Sequence, residues 1–233
     1  PKYEHAYTLK GILFSRLDRH KESILEYDKA LRINPNLIPA YSLKGLDLIK
    51  LGQYNEAIEV FDKSLEIDPK YVDGYYNKGD SLCNLGKNEE AIKEYDKALE
   101  IDPKYVDGYN SKGNALSNLG KNEEAIKEYD KALEIDPYDA IAYDNKGYSL
   151  FSIGRIDYAI ELSTHSIGLD KNYANAWYNR SIYYCHDNKI EKSLIDLQNA
   201  INLDTKYIEY VLKDKDFDTF RNNTIFIKIL NLD

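Results

Sequence analysis

Residues Pro69–Asp102 read PKYVDGYYNKGDSLCNLGKNEEAIKEYDKALEID, and residues Pro103–Asp136 read PKYVDGYNSKGNALSNLGKNEEAIKEYDKALEID. A repeat of fixed length with helical patterning indicates a stacked array of helical hairpins. The two copies differ only at the pairs Tyr76/Asn110, Asn77/Ser111, Asp80/Asn114, Ser81/Ala115 and Cys83/Ser117. This near-identity sets the register for the rest of the chain.

The repeat is 34 residues long. A small residue, either glycine or serine, recurs at this interval on both sides of Gly79 and Gly113. Aromatic residues recur four positions earlier, and small residues recur twelve positions later. Small residues facing bulky ones allow two helices to cross closely, so each unit is predicted to be a helix pair. The predicted units are residues 4–37, 38–71, 72–105, 106–139, 140–173 and 174–207.

The third unit shows the expected helix boundaries. Its first helix is predicted over residues 72–85, ending at Gly86, because glycine commonly follows a helix C-terminus. Its second helix is predicted within residues 87–102, with Asn88 as the N-terminal cap. Pro103 ends that helix, since the residue before a proline is pushed out of the α region.

We call the residues at one equivalent position of successive units a column. The columns resemble those of the tetratricopeptide repeat family over residues 4–207. The third unit carries the matching positions Tyr75, Gly79, Leu82, Gly86, Ala91, Tyr95, Ala98 and Pro103. The resemblance implies an all-α, right-handed superhelical solenoid of antiparallel helix pairs. It also implies that the first helix of each pair lines a concave, ligand-binding surface.

Two features depart from the family pattern. A basic residue replaces the usual leucine in every unit, and we expect its aliphatic stem to pack while its charge reaches water. In the fifth unit Ser163 replaces an aromatic residue, Lys171 replaces the proline and Gly168 lies within the second helix. We therefore expect this unit to be the least stable part of the array.

The period breaks after Tyr207. The segment 208–233 is predicted to form C-terminal capping helices, because the last pair of a solenoid needs its apolar face covered. It resembles a D-F-D-x-x-R-x-x-x-x-F ending found after many arrays of the family. The matching residues are Asp216, Phe217, Asp218, Arg221 and Phe226.

Composition narrows the classes of partner. The net charge of −9 and the isoelectric point near 5.1 disfavour nucleic acids and anionic membranes, which bind basic surfaces. Cys83 and Cys185 stand three units apart, too far for a disulfide, so both are predicted to be free thiols. We expect a cytoplasmic protein, and the absence of methionine suggests a fragment of a longer one.

The sequence contains no motif for catalysis, metal binding or cofactor binding. It lacks a P-loop, G-x-G-x-x-G, H-E-x-x-H and C-x-x-C. The run Cys185-His186-Asp187 looks chemical, but adjacent residues of a helix point in different directions and cannot form a triad. We therefore predict no enzymatic activity, no cofactor and no metal.

The predicted concave surface is rich in asparagine. Eight of the chain's 20 asparagines fall in its columns, and four of the five differences between the twin units lie there too. An asparagine amide both donates and accepts, so it can pair with the backbone of an extended peptide. The predicted ligand-binding residues are Asn77, Asp80, Asn84, Asn110, Asn114, Asn118, Asn145, Tyr148, Tyr178 and Asn179.

The resemblance suggests two modes of binding. Asn77, Asn145 and Asn179 stand in the column that resembles the asparagine ladder of O-linked N-acetylglucosamine transferase, which implies binding to peptide backbone. The carboxylate clamp of chaperone-binding members needs Lys and Arg at Thr8, Asp73 and Asn77, or in a later window at Asn110, Asn175 and Asn179. These charges are missing, so recognition of an acidic C-terminus is disfavoured.

The sequence thus predicts a protein-protein interaction module that binds an extended, neutral-to-basic peptide along an Asn-rich groove. One alternative is a structural or oligomerisation scaffold, in which another copy's helix fills the groove. Another is a regulatory or substrate-delivering fragment of a larger enzyme. A solvated Asn-rich face with no ligand would also fit the composition.

Overall fold

The computed structural model describes residues 3–230, which form helices and no strand. Consecutive helices pack side by side as pairs, so the predicted all-α fold class is confirmed. The chain divides into two compact units, Pro1–Leu119 and Gly120–Asp233.

The first unit is a stack of helices joined by short turns. Each helix packs against the next along the chain, both within a pair and from one pair to the next. Its helices are α1 (Tyr3–Arg16), α2 (His20–Ile33), α3 (Ile38–Lys50), α4 (Tyr54–Ile67), α5 (Val72–Asn84), α6 (Asn88–Ile101) and α7 (Val106–Asn118).

The second unit continues the same alternation and ends in shorter helices. Its α-helices are α8 (Asn122–Ile135), α9 (Ala140–Ser152), α10 (Ile156–Leu169), α11 (Ala174–His186), α12 (Ile190–Leu203), α13 (Lys206–Lys213) and α14 (Thr224–Ile229). A 3-10 helix, Lys215–Phe220, lies between α13 and α14. Residues 231–233, which the sequence assigned to the cap, lie outside the described residues.

The turn inside each pair has a left-handed residue at its centre. Gly86 adopts φ +75°, and the Lys87 amide donates to the Leu82 carbonyl at 2.9 Å, which closes the end of α5 as expected for glycine. Asp18 and Asn188, at φ 56° and 59°, take this place in the first and last pairs. The expected cap at Asn88 is wrong: α6 begins at Asn88, and Lys87 precedes it without a side-chain cap.

Close packing within the first three pairs depends on the glycine column. A Cβ added at Gly79 would lie 2.5 Å from the Tyr95 ring, and one added at Gly11 would lie 2.4 Å from the Tyr27 ring. Both tyrosines are at most 1% exposed. The aromatic ring therefore fills the space that a side chain on the first helix would need.

The basic column links successive pairs. Lys44, Lys78, Lys112 and Lys146 each form an ion pair with an aspartate on the preceding second helix, at 2.5 to 2.7 Å. The lysine side chains are only 17–22% exposed. The aliphatic stems pack as expected, and a carboxylate that the sequence analysis did not identify lies within reach of each ammonium group.

The C-terminal segment buries the aromatic residues of the family-like ending. Phe217 is 0% exposed and Phe226 is 1% exposed, and their rings stack at 6.2 Å. Arg221 donates to the carbonyl oxygens of Leu212 at 3.0 Å and of Asp214 at 3.2 Å, which holds the turn after α13. This segment packs against α11 and α12.

Candidate functional site

The first helices of successive pairs approach one another within each unit. In the first unit α1 contacts α3, α3 contacts α5, and α5 contacts α7, whereas the described second helices make no comparable contact with each other. In the second unit α9 contacts α11. We call the side formed by α1, α3, α5 and α7 the inner face of the first unit, and the side formed by α9 and α11 the inner face of the second.

Two tyrosine rings meet on the inner face of the first unit. Tyr76 on α5 and Tyr105, just before α7, pack edge to face with centroids 5.2 Å apart and planes at 83°. The Tyr105 hydroxyl donates to Asp73 at 3.3 Å, and Ser111 Oγ donates to the Tyr76 hydroxyl at 3.4 Å. These contacts join α5 and α7 through aromatic and polar groups at the surface.

Asp80 interacts with Tyr76 and with the buried Tyr95. Its carboxylate accepts a 2.7 Å hydrogen bond from the hydroxyl of Tyr95, which is 1% exposed. Tyr76 also packs against Tyr95, with centroids 6.0 Å apart. Asp80 is therefore held in place by a buried hydroxyl.

The electrostatic environment of this cluster is acidic. Burial and then the negative charges of Asp80 and Asp107 raise the pKa of Tyr76 to about 12. Burial also raises the pKa of Asp80, and the nearby charge of Asp107 raises it further. The pKa of Tyr105 is raised by burial and by Asp73. The carboxylates of Asp73, Asp80 and Asp107 thus contribute to the raised pKa values in this cluster.

Two predicted asparagines donate to their own helix. Asn77 Nδ2 donates to the Asp73 carbonyl at 2.7 Å, and Asn84 Nδ2 donates to the Asp80 carbonyl at 2.8 Å. Each bond uses one of the two hydrogens of the amide nitrogen. Of these two residues, only Asn77 belongs to the ladder that the resemblance implies.

The three predicted asparagines of α7 differ in exposure. Asn114 and Asn118 are exposed on the surface, whereas Asn110 is 8% exposed. Asn110 is hence part of the packing of α7, and its amide is not presented to a large ligand. Asn114 and Asn118 follow it at spacings of four residues along the helix.

The inner face of the second unit contains a buried carboxyl group. Asp144, 1% exposed, accepts hydrogen bonds from Asn179 Nδ2 at 2.9 Å and from Ser163 Oγ at 3.1 Å. Asn179 was predicted to bind a ligand, but its amide donor is engaged by Asp144. Nearby on α9, Asn145 is partly exposed and Tyr148 is 50% exposed.

Tyr178 belongs to the contact with the C-terminal segment. Its hydroxyl donates to Asp214 at 2.6 Å, and its ring lies 5.0 Å from that of Tyr207 and 6.0 Å from that of Phe217. The sequence predicts that Tyr178 binds a ligand, but its side chain is already used in packing. No periodic signal revealed this, because Asp214 and Phe217 lie beyond the repeats.

The differences between the twin units are linked in space. Asp80 and Cys83 both lie within reach of the Tyr95 hydroxyl, and Tyr76 contacts Ser111 across α5 and α7. These residues account for most of the substituted positions. The substitutions thus change one connected cluster, in which Tyr105 and Asp107 also take part although the sequence analysis did not select them.

Cys185 and His186 do not form a nucleophile and base. The Cys185 thiol donates to the Asp216 carbonyl at 3.0 Å, and burial raises its pKa, whereas a catalytic thiol needs a lowered one. His186 Nε2 lies 2.9 Å from Asp216 Oδ1. Both cysteines are free thiols, as predicted.

The described part of the chain has neither a metal-ligand cluster nor a membrane-spanning helix. Residues 3–230 contain no cluster of three or more His, Cys, Asp or Glu side chains arranged to hold a metal ion. None of the helices in this range has the length and apolar character needed to cross a bilayer.

Family profiles match most of the repeats. A profile described as TPR repeat matches residues 45–86, 79–120 and 113–154, and a profile described as Tetratricopeptide repeat matches residues 4–37. These matches together span more than half of the sequence. The chain belongs to the tetratricopeptide repeat family. As a member, it is a protein-interaction module.

Solved structures share this fold. YrrB, described as a TPR protein with an unusual peptide-binding site, is 24% identical, with a TM-score of 0.57 over 81% of this chain and 98% of YrrB. A tetratricopeptide repeat protein from Parabacteroides merdae is 18% identical, with a TM-score of 0.75 over 100% of this chain and 84% of its own. A thermophilic TPR protein of Thermus thermophilus is 19% identical, with a TM-score of 0.64 over 77% and 98%. No curated protein matches the sequence.

Proposed function

We propose that the inner face of the first unit binds a basic segment of an extended polypeptide between α5 and α7. The observation that carries the proposal is the edge-to-face pair of Tyr76 and Tyr105 with acidic side chains around it. Asp73 and Asp107 are exposed beside these rings. A lysine or arginine side chain of the ligand is the group that fits.

The physical basis is a combination of charge and ring attraction. A cation is drawn to the face of a tyrosine ring, and the interaction strengthens when water is excluded. Asp80 adds negative charge from a partly buried position and is fixed there by Tyr95. The proposed site is therefore preorganised, which lowers the entropic cost of ordering its side chains on binding.

The exposed amides of α7 would hold the ligand's backbone. Asn114 and Asn118 lie along the same helix as Ser111, and an amide can pair with both the N–H and the C=O of a peptide. In the second unit, Asn145 and Tyr148 offer a smaller set of polar groups. The fold shared with YrrB, a TPR protein with a peptide-binding site, supports a peptide as the class of ligand.

An array of ten-residue peptides tests the proposed charge preference. Peptides of otherwise identical sequence carry Lys, Arg, Gln or Glu at the centre, and binding is measured by fluorescence anisotropy. We expect Lys and Arg peptides to bind best, and Asp73→Asn with Asp107→Asn to weaken them roughly tenfold, because two attractive charges are lost. Stronger binding of Glu peptides, or unchanged affinity in the double variant, would contradict the proposal.

Two control variants distinguish binding at this site from attraction to the overall negative charge of the protein. Glu89→Gln removes one exposed negative charge from α6, away from the inner face, and should leave affinity unchanged. Asn114→Ala with Asn118→Ala should weaken Lys and Gln peptides equally, because backbone contacts do not depend on the central side chain. Asn55→Ala on α4 is the matched asparagine control.

A further inference from the structure

A cavity of about 610 Å³ opens between α9 and α10 of the second unit. We call it the α9–α10 pocket. These two helices have both of their neighbours in the stack, since α8 packs against α9 and α11 packs against α10. Aromatic, apolar and polar side chains line the pocket, among them Tyr143 of α9 and Glu161, Leu162, His165, Gly168 and Leu169 of α10.

The α10 wall of the pocket departs from the repeat at four positions. Where α10 has Glu161, Leu162, His165 and Gly168, both α6 and α8 have lysine, glutamate, lysine and glutamate. Residues at these spacings share one side of a helix. The departures therefore change one surface, from which they remove two lysines and two glutamates and to which they add one carboxylate.

In other pairs a lysine of the chain itself covers this place. Lys97 Nζ lies 5.4 Å from the centre of the Tyr75 ring and pairs with Glu94 at 3.0 Å. In the first pair, Lys29 Nζ lies 5.8 Å from the centre of the Tyr7 ring and is likewise paired with a glutamate. A cation is attracted to the face of an aromatic ring. The aromatic residue of the first helix is thus covered by an internal cation.

The fifth pair lacks that cation. His165 takes the place of the lysine, with its ring 4.3 Å from the ring of Tyr143. A Cβ added at Gly168 would meet nothing within 4 Å, so the space beside the two rings is open. Glu161 is exposed, and within residues 3–230 no group donates a hydrogen bond to it or forms an ion pair with it. The pocket therefore combines two rings, open space and an uncompensated carboxylate.

The nearest arginine is already paired elsewhere. Arg180 Nη1 donates to Thr164, another residue that lines the pocket, at 2.9 Å. The same guanidinium donates to both carboxylate oxygens of Asp196 on α12, at 2.7 and 2.9 Å. Its charge is hence compensated by Asp196 and does not neutralise Glu161.

We propose that the α9–α10 pocket binds an arginine side chain of a partner protein. A guanidinium group stacks on aromatic rings and pairs with a carboxylate in its own plane, which fits Tyr143, His165 and Glu161. The aliphatic stem of the arginine would lie along Leu162 and Leu169. The partner thus supplies the cation that the lysine supplies in the other pairs. A cavity of this volume takes more than one side chain, which favours an arginine within a polypeptide over the free amino acid.

Nuclear magnetic resonance of the full chain tests the proposal. Short peptides of alanine and glycine carry Arg, Lys, Phe or Glu at the centre, and the signals followed are the Tyr143 ring and the Leu169 amide. We expect the Arg peptide to shift them most. Glu161→Gln should weaken this binding roughly threefold, because an exposed ion pair is lost. Glu124→Gln, an exposed charge change on α8, should leave it unchanged.

A variant that restores the repeat closes the pocket. Glu161→Lys, Leu162→Glu, His165→Lys and Gly168→Glu together give α10 the residues of α6 and α8, so the protein should stay folded by circular dichroism and the shifts should disappear. Gly168→Gln, which adds a single side chain to the open space, should weaken binding as well.

The site on the first unit is tested separately. Asp73→Asn with Asp107→Asn should leave the shifts at Tyr143 and Leu169 unchanged, so either site can fail without the other. No shift at these residues with the Arg peptide, or shifts as large with Phe or Glu, would overturn the proposal. Shifts that persist in a folded variant with the restored repeat would overturn it too.

Discussion

Asp144 and Asn179 are joined by a 2.9 Å hydrogen bond from the amide to a carboxylate oxygen that is removed from water. Ser163 holds the other oxygen at 3.1 Å. Burial raises the pKa of Asp144 to about 7, since the neutral partners Ser163 and Asn179 only partly offset the loss of hydration. The charge of Asp144 also contributes to the raised pKa values of the Tyr173, Tyr183 and Tyr207 hydroxyls.

This carboxyl group makes folding depend on pH. In the unfolded chain an aspartate releases its proton near pH 4, whereas in the folded chain Asp144 keeps it until about pH 7. Between these values the folded state binds more protons, so its stability falls as the pH rises. A pKa shift of this size corresponds to a decrease of roughly 4 kcal/mol in the free energy of unfolding at high pH.

The variant Asp144→Asn should remove this dependence. It keeps groups that can bond to Ser163 and Asn179, so we expect wild-type stability at pH 4 and higher stability than wild type at pH 8 in urea unfolding. Glu161→Gln changes an exposed carboxyl group on α10 and should not alter the pH profile in this way. Parallel profiles for wild type and Asp144→Asn would show that burial does not govern this group.

The glycine column gives a steric prediction with an internal control. An alanine at position 79 would place its Cβ 2.5 Å from the Tyr95 ring, whereas one at position 147 would meet its nearest neighbour, the Ala159 carbonyl, at 3.4 Å. We expect Gly79→Ala to cost about 1–3 kcal/mol through overpacking. Gly147→Ala should be neutral or stabilising by up to about 1 kcal/mol, through helix propensity.

Urea unfolding of the two variants checks this difference. Both glycines lie inside first helices, so the propensity gain is the same and only the neighbouring side chain differs. In the fifth pair Ser163 stands where Tyr95 stands in the third. Equal effects of the two substitutions would mean that the ring moves aside without cost.

The repeat period was sufficient to predict the helix pairs, because each column has the same neighbours in successive units. Gly79, Tyr95 and the turn at Gly86 follow from this logic. The period does not predict whether a side chain is exposed to water or contacts a residue far away in the sequence. Asn179 donates to Asp144, which also accepts from Ser163, and a column of asparagines does not reveal that.

The partners of the lysine column were not predicted, for a related reason. Its position was predicted correctly, but the carboxylate that meets each lysine lies sixteen residues earlier, on the preceding hairpin. Counting within one unit could not identify Asp62 as the partner of Lys78. The site prediction did not select Tyr105 for the same reason, because its contact with Tyr76 depends on two units together.

The inter-hairpin ion pairs should contribute measurably to stability. Lys78→Met removes a 2.7 Å ion pair whose lysine is only 19% exposed, and we expect a loss of about 1 kcal/mol. Lys10→Met is the matched control, since Lys29 also holds Glu26 at 2.7 Å and Lys10 is 53% exposed. Its expected effect on urea unfolding is within about 0.5 kcal/mol. Equal losses would mean that the contact with the preceding helix adds nothing.

The C-terminal segment should loosen when Tyr178 loses its hydroxyl. Tyr178→Phe keeps the ring contacts with Tyr207 and Phe217 but leaves Asp214 without its 2.6 Å donor, so we expect α13 and the following 3-10 helix to exchange amide hydrogens faster. A lost hydrogen bond to a charged group costs about 1.5–3 kcal/mol. Tyr148→Phe, on an exposed ring of α9, should leave this exchange unchanged. If Tyr178→Phe instead weakens peptide binding and leaves exchange in α13 unaltered, then Tyr178 contacts ligand as the sequence first suggested.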